Sequence, residues 1–207
     1  MKIVKPKINN CEEKSLLDAY NEDYYCNYSF SENIDFELTI ENANFDSCIF
    51  SGIDFTNISL INVDLYDVIF EKCDLSNKCF DNKMLSRVLF KDCKMVGTSF
   101  IESSMQDIEF DNCHTKYLNF SDSRLKNIIV KNSDFSEVSF LNTNIKNIEF
   151  NDVKFDGGEF LRTKLNDVDF SFSDISNANF DSFSLKGIII DQIQCHSLIG
   201  MLGVKLK

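Results

Sequence analysis

From Ile40 to Ile190 every fifth residue is large and apolar, with one exception. Of these 31 positions sixteen are Phe, seven Leu, four Ile, two Met and one Val; only Thr115 departs. The stretch NDVDFSFSDISNANFDSFSL (166–185) shows the beat at Phe170, Ile175, Phe180 and Leu185. Five is neither the 3.6-residue period of a helix nor the two-residue period of a half-buried strand. A frame kept this long decides the architecture before local propensity is weighed.

Two residues before each large residue, 26 of 31 positions are short or β-branched; Leu38, Lys78, Lys83, Leu118 and Phe183 are the exceptions. Each unit thus points one large and one smaller side chain inward, two apart, as on one face of a short strand. Two residues after the large one, Asn holds 11 of 31 positions. Its side chain satisfies turn backbone, which suits a corner. A short strand and a corner, repeated, close into a solenoid.

Twelve of the sixteen phenylalanines fall in two alternate columns with a period of twenty: Phe80 to Phe180, and Phe50 to Phe170. Five-residue units with a twenty-residue super-period imply four sides. Rings on opposite walls then stack at about 4.8 Å from coil to coil. The expected fold is all-β, a right-handed quadrilateral β-helix over residues 36–190. Residues 1–35 are expected to be an N-terminal strand and irregular capping segment, with MKIVKPKI starting the first coil and 9–35 keeping no frame. Thr115 makes CHTKYLNF (113–120) the expected break in the wall, either a tolerated defect or a small bulge facing a partner. Lys78 and Lys83 at inward positions suggest a strained or opened corner.

Solenoids need caps. After Ile190 the pattern gives way to DQIQCHSLIGMLG, where Asp191 suits an N-cap, Gln194 the N3 position of a capping box and Gly203 a C′ position. Residues 191–207 therefore read as a capping helix and a final short strand, VKLK. Such a helix covers the last coil or pairs with a copy of itself. The expected homodimer interface is Ile188, Ile190, Ile193, Leu198, Ile199, Leu202, Val204 and Leu206.

Little in the sequence suggests catalysis, and no cofactor or metal is expected. His114 and His196 stand on different elements, Gly157-Gly158 lacks phosphate-cradling spacing, and no GxSxG, P-loop or HExxH occurs. Cys73, Cys93 and Cys113 lie in one column. A straight ladder does not converge on a metal, and parallel Cβ vectors disfavour a disulfide, so small buried thiols are expected. The opening residues lack a signal-peptide pattern and no apolar run is long enough to span a membrane, so a cytoplasmic protein with reduced thiols is expected.

The net charge of −12 argues against direct nucleic-acid binding and suits a cationic partner. One outer face carries Glu71, Glu109, Asp111, Glu149 and Asp169; the next carries Asp54, Asp74, Asp134 and Asp174 in one column, with Lys91, Lys94, Lys131 and Lys154 diluting the rows. These rows are either solvated faces or a charge pattern like that of a nucleic-acid backbone. Ile61, Ile101, Leu141 and Leu161 form a stripe that, if exposed, would be a contact surface.

The unbroken five-residue frame resembles the pentapeptide-repeat proteins. LKGIIIDQIQCHSLIGMLGVKL (185–206) is similar to the C-terminal sequence of the quinolone-resistance, or Qnr, group, with Leu185, Gly187, Asp191, Gln194, Leu198, Leu202 and Gly203 at matching places. MKIVKPKI resembles that group's opening, and IENANFDSCIFSG (40–52), IFEKCDLS (69–76) and GGEF (157–160) also look like it. The resemblance implies a right-handed quadrilateral β-helix that dimerises through its C-terminal ends. It implies a rod of duplex-DNA width that binds DNA gyrase and topoisomerase IV and protects them from fluoroquinolones. Many relatives carry two bulging loops; here the frame passes both regions without insertion. The alternative is a structural interaction module, or an immunity factor, with another cytoplasmic partner.

Overall fold

A computed structural model describes residues 2–18 and 23–201 of the chain. The backbone winds as a right-handed β-solenoid of about eight turns, closed by one helix at Gln192–Met201. Strands Asn44–Ser51, Asp64–Glu71, Met84–Lys91, Ser104–Asp111, Arg124–Asp134 and Asn144–Lys154 lie parallel in one sheet, in sequence order. The register is the expected twenty: Phe45 lies opposite Leu65, Leu85 opposite Met105, Leu125 opposite Ile145. Each strand spans two walls, the first centred on residues 45, 65, 85 and onward, the second on 50, 70, 90 and onward. Single bridges build the rest. Asp54, Asp74, Lys94, His114 and Asp134 ladder along wall three; Cys79, Ser99, Asn119, Ser139 and Glu159 ladder along wall four.

Corners explain the asparagines. Left-handed backbone recurs at residues whose numbers end in 2 or 7, among them Asn42 (φ 55°), Asn62 (55°), Asn77 (58°) and Asn142 (53°). Asn tolerates this region better than most residues. The corner is imposed even on Arg87 (55°) and Tyr117 (64°), because coil-to-coil hydrogen bonds on both sides hold it.

Inside, the phenylalanines stack as the sequence requires. Ring centroids along wall four are 5.3 Å (Phe80–Phe100), 5.5 Å (Phe100–Phe120), 5.0 Å (Phe120–Phe140), 5.1 Å (Phe140–Phe160) and 4.8 Å (Phe160–Phe180). Wall two stacks Phe50, Phe70, Phe90 and Phe110 at 4.8, 5.3 and 5.0 Å. The two columns meet edge-to-face, as at Phe110–Phe120 (6.1 Å), which suits the ring quadrupoles. The smaller inward residues hydrogen-bond to carbonyls of the coil below. The Thr98 hydroxyl donates to the Leu75 carbonyl at 2.8 Å, Thr143 to Phe120 at 2.9 Å, and the Cys73, Cys93 and Cys113 thiols to Phe50, Phe70 and Phe90 at 3.3–3.4 Å. These buried groups are thereby satisfied, whereas the hydroxyls of Ser76 and Ser173 are buried without a well-formed hydrogen bond among the described residues. Hydrogen bonding to Cys93 and burial push the Cys73 thiol well up; hydrogen bonding to Cys113, with burial, pushes Cys93 to about 12. These sulfurs stay protonated, which removes them as nucleophiles.

Several expectations are corrected. Thr115 makes no break: it is fully buried, its amide and hydroxyl both donate to the Asp134 carbonyl (2.9 and 2.7 Å), and the wall-three ladder runs straight through His114. Phe135, one coil on, meets Phe110 edge-on at 5.5 Å and fills the space that Thr115 leaves. Nor is the corner at Lys78 and Lys83 opened, since Asn77 and Asn82 keep φ of 58° and 59°. Instead the Lys78 ammonium reaches out to the Ile58 and Thr56 carbonyls (3.0 and 3.4 Å) and that of Lys83 to the Asn62 side-chain oxygen. Long aliphatic stems allow this escape.

The frame does slip at the far end. Phe183 is too large for the small inward slot and turns out, 57 % exposed, while Ser184 takes its place, fully buried. The Thr163 amide donates to the Ser184 hydroxyl at 3.1 Å, a spacing of 21 rather than 20. Register returns at Asp169–Ile189.

At the near end the frame starts before residue 36. Tyr25 stacks on Phe45 (4.4 Å) and Phe30 on Phe50 (5.1 Å), and Glu12–Glu13 pairs with Tyr28–Ser29. The opening residues do not form the expected first strand. They run as an extended strap across the coils, along the corner between walls one and two. The Val4 backbone amide donates to Asp107 (3.3 Å), that of Lys7 to Asp67 (2.8 Å), the Cys11 thiol to the Ser47 carbonyl (3.3 Å) and the Asn9 side-chain amide to the Asn27 side-chain oxygen (3.4 Å). Those four partners are every second or next member of one corner column, so the strap climbs the rod at right angles to its strands.

The C-terminal cap is as expected where described. Asp191 accepts from the Ile193 and Gln194 amides (2.7 and 2.8 Å), and the Gln194 side chain accepts from the Asp191 amide (2.9 Å), a reciprocal capping box. Gln194 also donates to the Phe170 and Ser173 carbonyls, closing the last coil. Leu198 packs into the core, whereas Ile193 is 81 % exposed, so the apolar residues of the helix face two ways. Leu202, Gly203 and the VKLK strand lie outside the described residues.

Candidate functional site

The carboxylates of wall three are turn-formers before they are anything else. One oxygen of Asp54 accepts from the Thr56 amide (2.8 Å), Asp74 from Ser76 (2.9 Å), Asp134 from Ser136 (3.0 Å) and Asp174 from Ser176 (2.9 Å). Asp169 does the same with Ser171 at 2.9 Å. Side-chain capping of the backbone two residues on is the ordinary reason for Asp at a turn. It also fixes where the second oxygen points, so the row is pre-oriented. The row is partly neutralised: Lys94 reaches Asp74 at 2.8 Å and His114 lies 3.4 Å from Asp134. Partial burial pushes Asp74 up, but Lys94 and the Ser76 groups outweigh it and hold the carboxyl below its ordinary range. Asp134 behaves alike, with burial opposed by Ser136, His114 and Lys154.

Wall two carries an alternating ladder. Lys91 pairs with Glu71 at 2.7 Å and Lys131 with Asp111 at 3.1 Å. Glu109, expected on an open acidic face, is not on one. It is 3 % exposed, held by Lys131 at 2.9 Å and by Lys5 of the strap. Burial raises its carboxyl, and the two ammoniums more than reverse that. Glu149 and Asp169 stay half-buried beside an open groove of about 480 Å³ between Phe150 and the outturned Phe172. Among the expected acidic residues the structure therefore places Asp54, Asp74, Asp134 and Asp174 in one row, interrupted by Lys94, His114 and Lys154, and Glu71 and Asp111 in a separate row that alternates with Lys91 and Lys131.

The strap was invisible to the frame because its residues make no five-residue beat. Its signal is compositional: Lys5 and Lys7 flank Pro6 in the opening segment, while Asp67, Asp107 and Glu109 occupy one corner and its flank. Of the apolar stripe, Ile61 is 50 % exposed, whereas Ile101, Leu141 and Leu161 are half-buried. At the C-terminal end Ile193 and Ile189 (47 %) face out, while Ile188 and Ile190 pack on the core. No cluster of three metal-ligating side chains and no helix able to cross a membrane occurs among the described residues.

Comparison with solved structures finds other solenoids. A trypsin-treated QnrB1, a plasmid-mediated fluoroquinolone resistance protein, is 20 % identical, with a TM-score of 0.46 over 88 % of this chain and 99 % of that one. HetL, a pentapeptide repeat protein involved in heterocyst differentiation regulation from Nostoc sp. strain PCC 7120, is 11 % identical, with a TM-score of 0.40 over 82 % of this chain and 90 % of that one. No curated protein sequence matches. Two sequence-family models do: the pentapeptide repeat region over residues 63–140, and pentapeptide repeats of eight copies over 41–77 and 149–181. The matched segments lie within the coils that keep the twenty-residue register, and this chain belongs to the pentapeptide-repeat family.

Proposed function

We propose that this protein is a non-enzymatic, cytoplasmic binding rod that imitates duplex DNA, docks on DNA gyrase or topoisomerase IV and protects the enzyme from fluoroquinolones. The observation that carries the reading is the wall-three row. Asp54, Asp74, Asp134 and Asp174 each have one oxygen tied to their own turn, which holds the other at a fixed place on a rigid face, where Lys94 meets that of Asp74 and His114 that of Asp134. A surface that holds duplex DNA must be cationic, and a net charge of −12 steers this chain toward such a surface. The C-terminal similarity to the Qnr group supports the same partner. Self-pairing through the capping helix, with exposed Ile193 at its centre, would double the rod; Ile193→Asp should then leave only monomers by light scattering, and a persisting dimer refutes that interface.

The test is gyrase supercoiling with and without ciprofloxacin. The protein should restore supercoiling in the presence of the drug. The variant Asp54→Asn/Asp74→Asn/Asp134→Asn/Asp174→Asn removes charge while keeping the turns, since Asn119 already accepts from the Ser121 amide in this way at 2.9 Å. It should stay folded and lose most of the protection. Undiminished protection by the variant rejects wall three, and absence of protection by the unaltered protein rejects the topoisomerase reading.

A further inference from the structure

Although the rod is strongly acidic, one part of its surface is cationic. Arg124, Lys126, Lys146, Arg162, Lys164 and Lys186 lie on or at the edge of wall one over four successive coils, and all six are exposed. None is ion-paired among the described residues; the Lys126 ammonium donates only to the Gln106 side chain, at 3.3 Å. Lys126 and Lys146 are direct cross-strand partners. Like charges placed opposite each other destabilise a sheet, and wall two avoids this by alternating Glu71, Lys91, Asp111 and Lys131 down its ladder. The carboxylates bordering the cationic area keep their charge but are held by neutral donors and not by these cationic groups: Asp122 accepts from Asn142 at 2.5 Å, Asp167 from Asn166 at 2.5 Å, Asp107 from Asn127 at 3.0 Å, and Asp181 from the Arg162 and Ser184 backbone amides at 2.7 Å each.

We propose that this half of wall one binds the phosphate backbone of nucleic acid, contrary to the expectation drawn from net charge alone. Lysine is a compact point charge suited to phosphate, and the cations are interleaved with Asn144 and Asn166, neutral amides of the kind that donate to phosphate oxygens. The one outward aromatic side chain here, the outturned Phe183, stands on the last coil alone, so bases have no run of rings to stack on and the contact reads no sequence. The acidic rows on wall three do not prevent it. Screening at physiological salt acts over about 8 Å, and wall three lies across the solenoid core from wall one. A duplex presents one negative charge per ~1.7 Å of axis, dense enough to meet cations repeated at the strand spacing of about 4.8 Å. This goes beyond the topoisomerase reading: it gives a second face to a rod whose first face imitates DNA.

The test is fluorescence anisotropy of a short labelled duplex titrated with the full chain over a range of salt. Binding should weaken with salt at a logarithmic slope of about −4.5 to −5.5, as for five or six phosphate contacts. Lys126→Gln/Lys146→Gln/Lys164→Gln should cut the slope by about 2 to 3. Lys91→Gln/Lys94→Gln/Lys131→Gln changes net charge equally on other walls and should leave it unchanged. Circular dichroism establishes that both variants fold. No binding at low salt, equal effects of the two triple variants, or tighter binding of poly-glutamate or phosphatidylserine vesicles than of the duplex would each overturn the proposal.

Discussion

The lower half of the rod wears a strap and the upper half is bare, yet both are built from the same five-residue unit. Below, the opening segment crosses the coils and is pinned at Asp67, Asp107 and Glu109. The outward wall-two positions beneath this level are Ile49, Ile69 and Leu89, half-buried residues that a bare rod would present to water. Above, wall one exposes unpaired cations and the last coil slips to seat Ser184 in place of Phe183. The difference teaches that the repeat dictates the inside alone. Two of its five positions point inward and a third must turn left-handed; what the others carry is free to differ from coil to coil.

The largest expected effect tests whether the interior is indeed the same in both halves. Phe110, in the strapped half, touches Phe90, Phe120 and Phe135; Phe160, in the bare half, touches Phe140, Phe155, Phe170 and Phe180. Both are fully buried. Phe110→Ala and Phe160→Ala should each cost about 3–5 kcal/mol in urea denaturation. Losses differing by more than about 1.5 kcal/mol would mean that strap or cap, and not the column, carries the local stability.

A smaller effect belongs to the strapped half only. Glu109→Gln removes the carboxylate shared by Lys5 and Lys131. Since both ammoniums keep access to water, the expected cost is about 1–2 kcal/mol rather than that of a fully buried pair. Amide exchange of Val4 and Lys7 should quicken while that of Phe160 stays unchanged. Acid should act in the same direction. Asp67 is raised by burial but lowered further by Arg87 and Lys7, and Glu109 likewise by its two lysines. A carboxyl held below its unfolded value contributes fully above about pH 4 and loses that contribution as pH falls through the depressed folded value. As pH falls from about 4, amide spectra should therefore show the strap released before the phenylalanine columns, which hold no titrating group. Simultaneous loss of both would show that strap and coils unfold as one unit.

These contrasts also mark what the sequence could reveal. Register, wall number and ring columns were legible because they follow from side-chain spacing, and the capping box because Asp191 and Gln194 interact locally. The strap was not, because its partners are remote: Lys5 meets Glu109, more than a hundred positions away. Reading Glu109 as an open acidic residue failed for that reason. Thr115 misled differently, since a gap in one column was filled by Phe135 from the next coil. Phe183 stood out as too large for its slot, but whether the chain would bulge or the core deform depended on Ser184 beside it.

The smallest expected effect compares a corner in each half. Gly52 and Gly187 both take left-handed backbone, φ 69° and 80°. A Cβ at Gly52 meets no heavy atom within 4 Å, whereas at Gly187 it lies 2.4 Å from the Asn166 side-chain oxygen. That amide is itself engaged with Asp167, so it does not yield without breaking a hydrogen bond. Asn at a left-handed corner is the commonest solution in this chain, and replacing Gly narrows the unfolded ensemble. Gly52→Asn should leave thermal stability unchanged or raise it by up to about 0.5 kcal/mol, while Gly187→Asn should lower it by about 1 kcal/mol. Equal responses would mean that the slipped last coil has room to relax, and that the frame there is held by the capping helix rather than by its own corner.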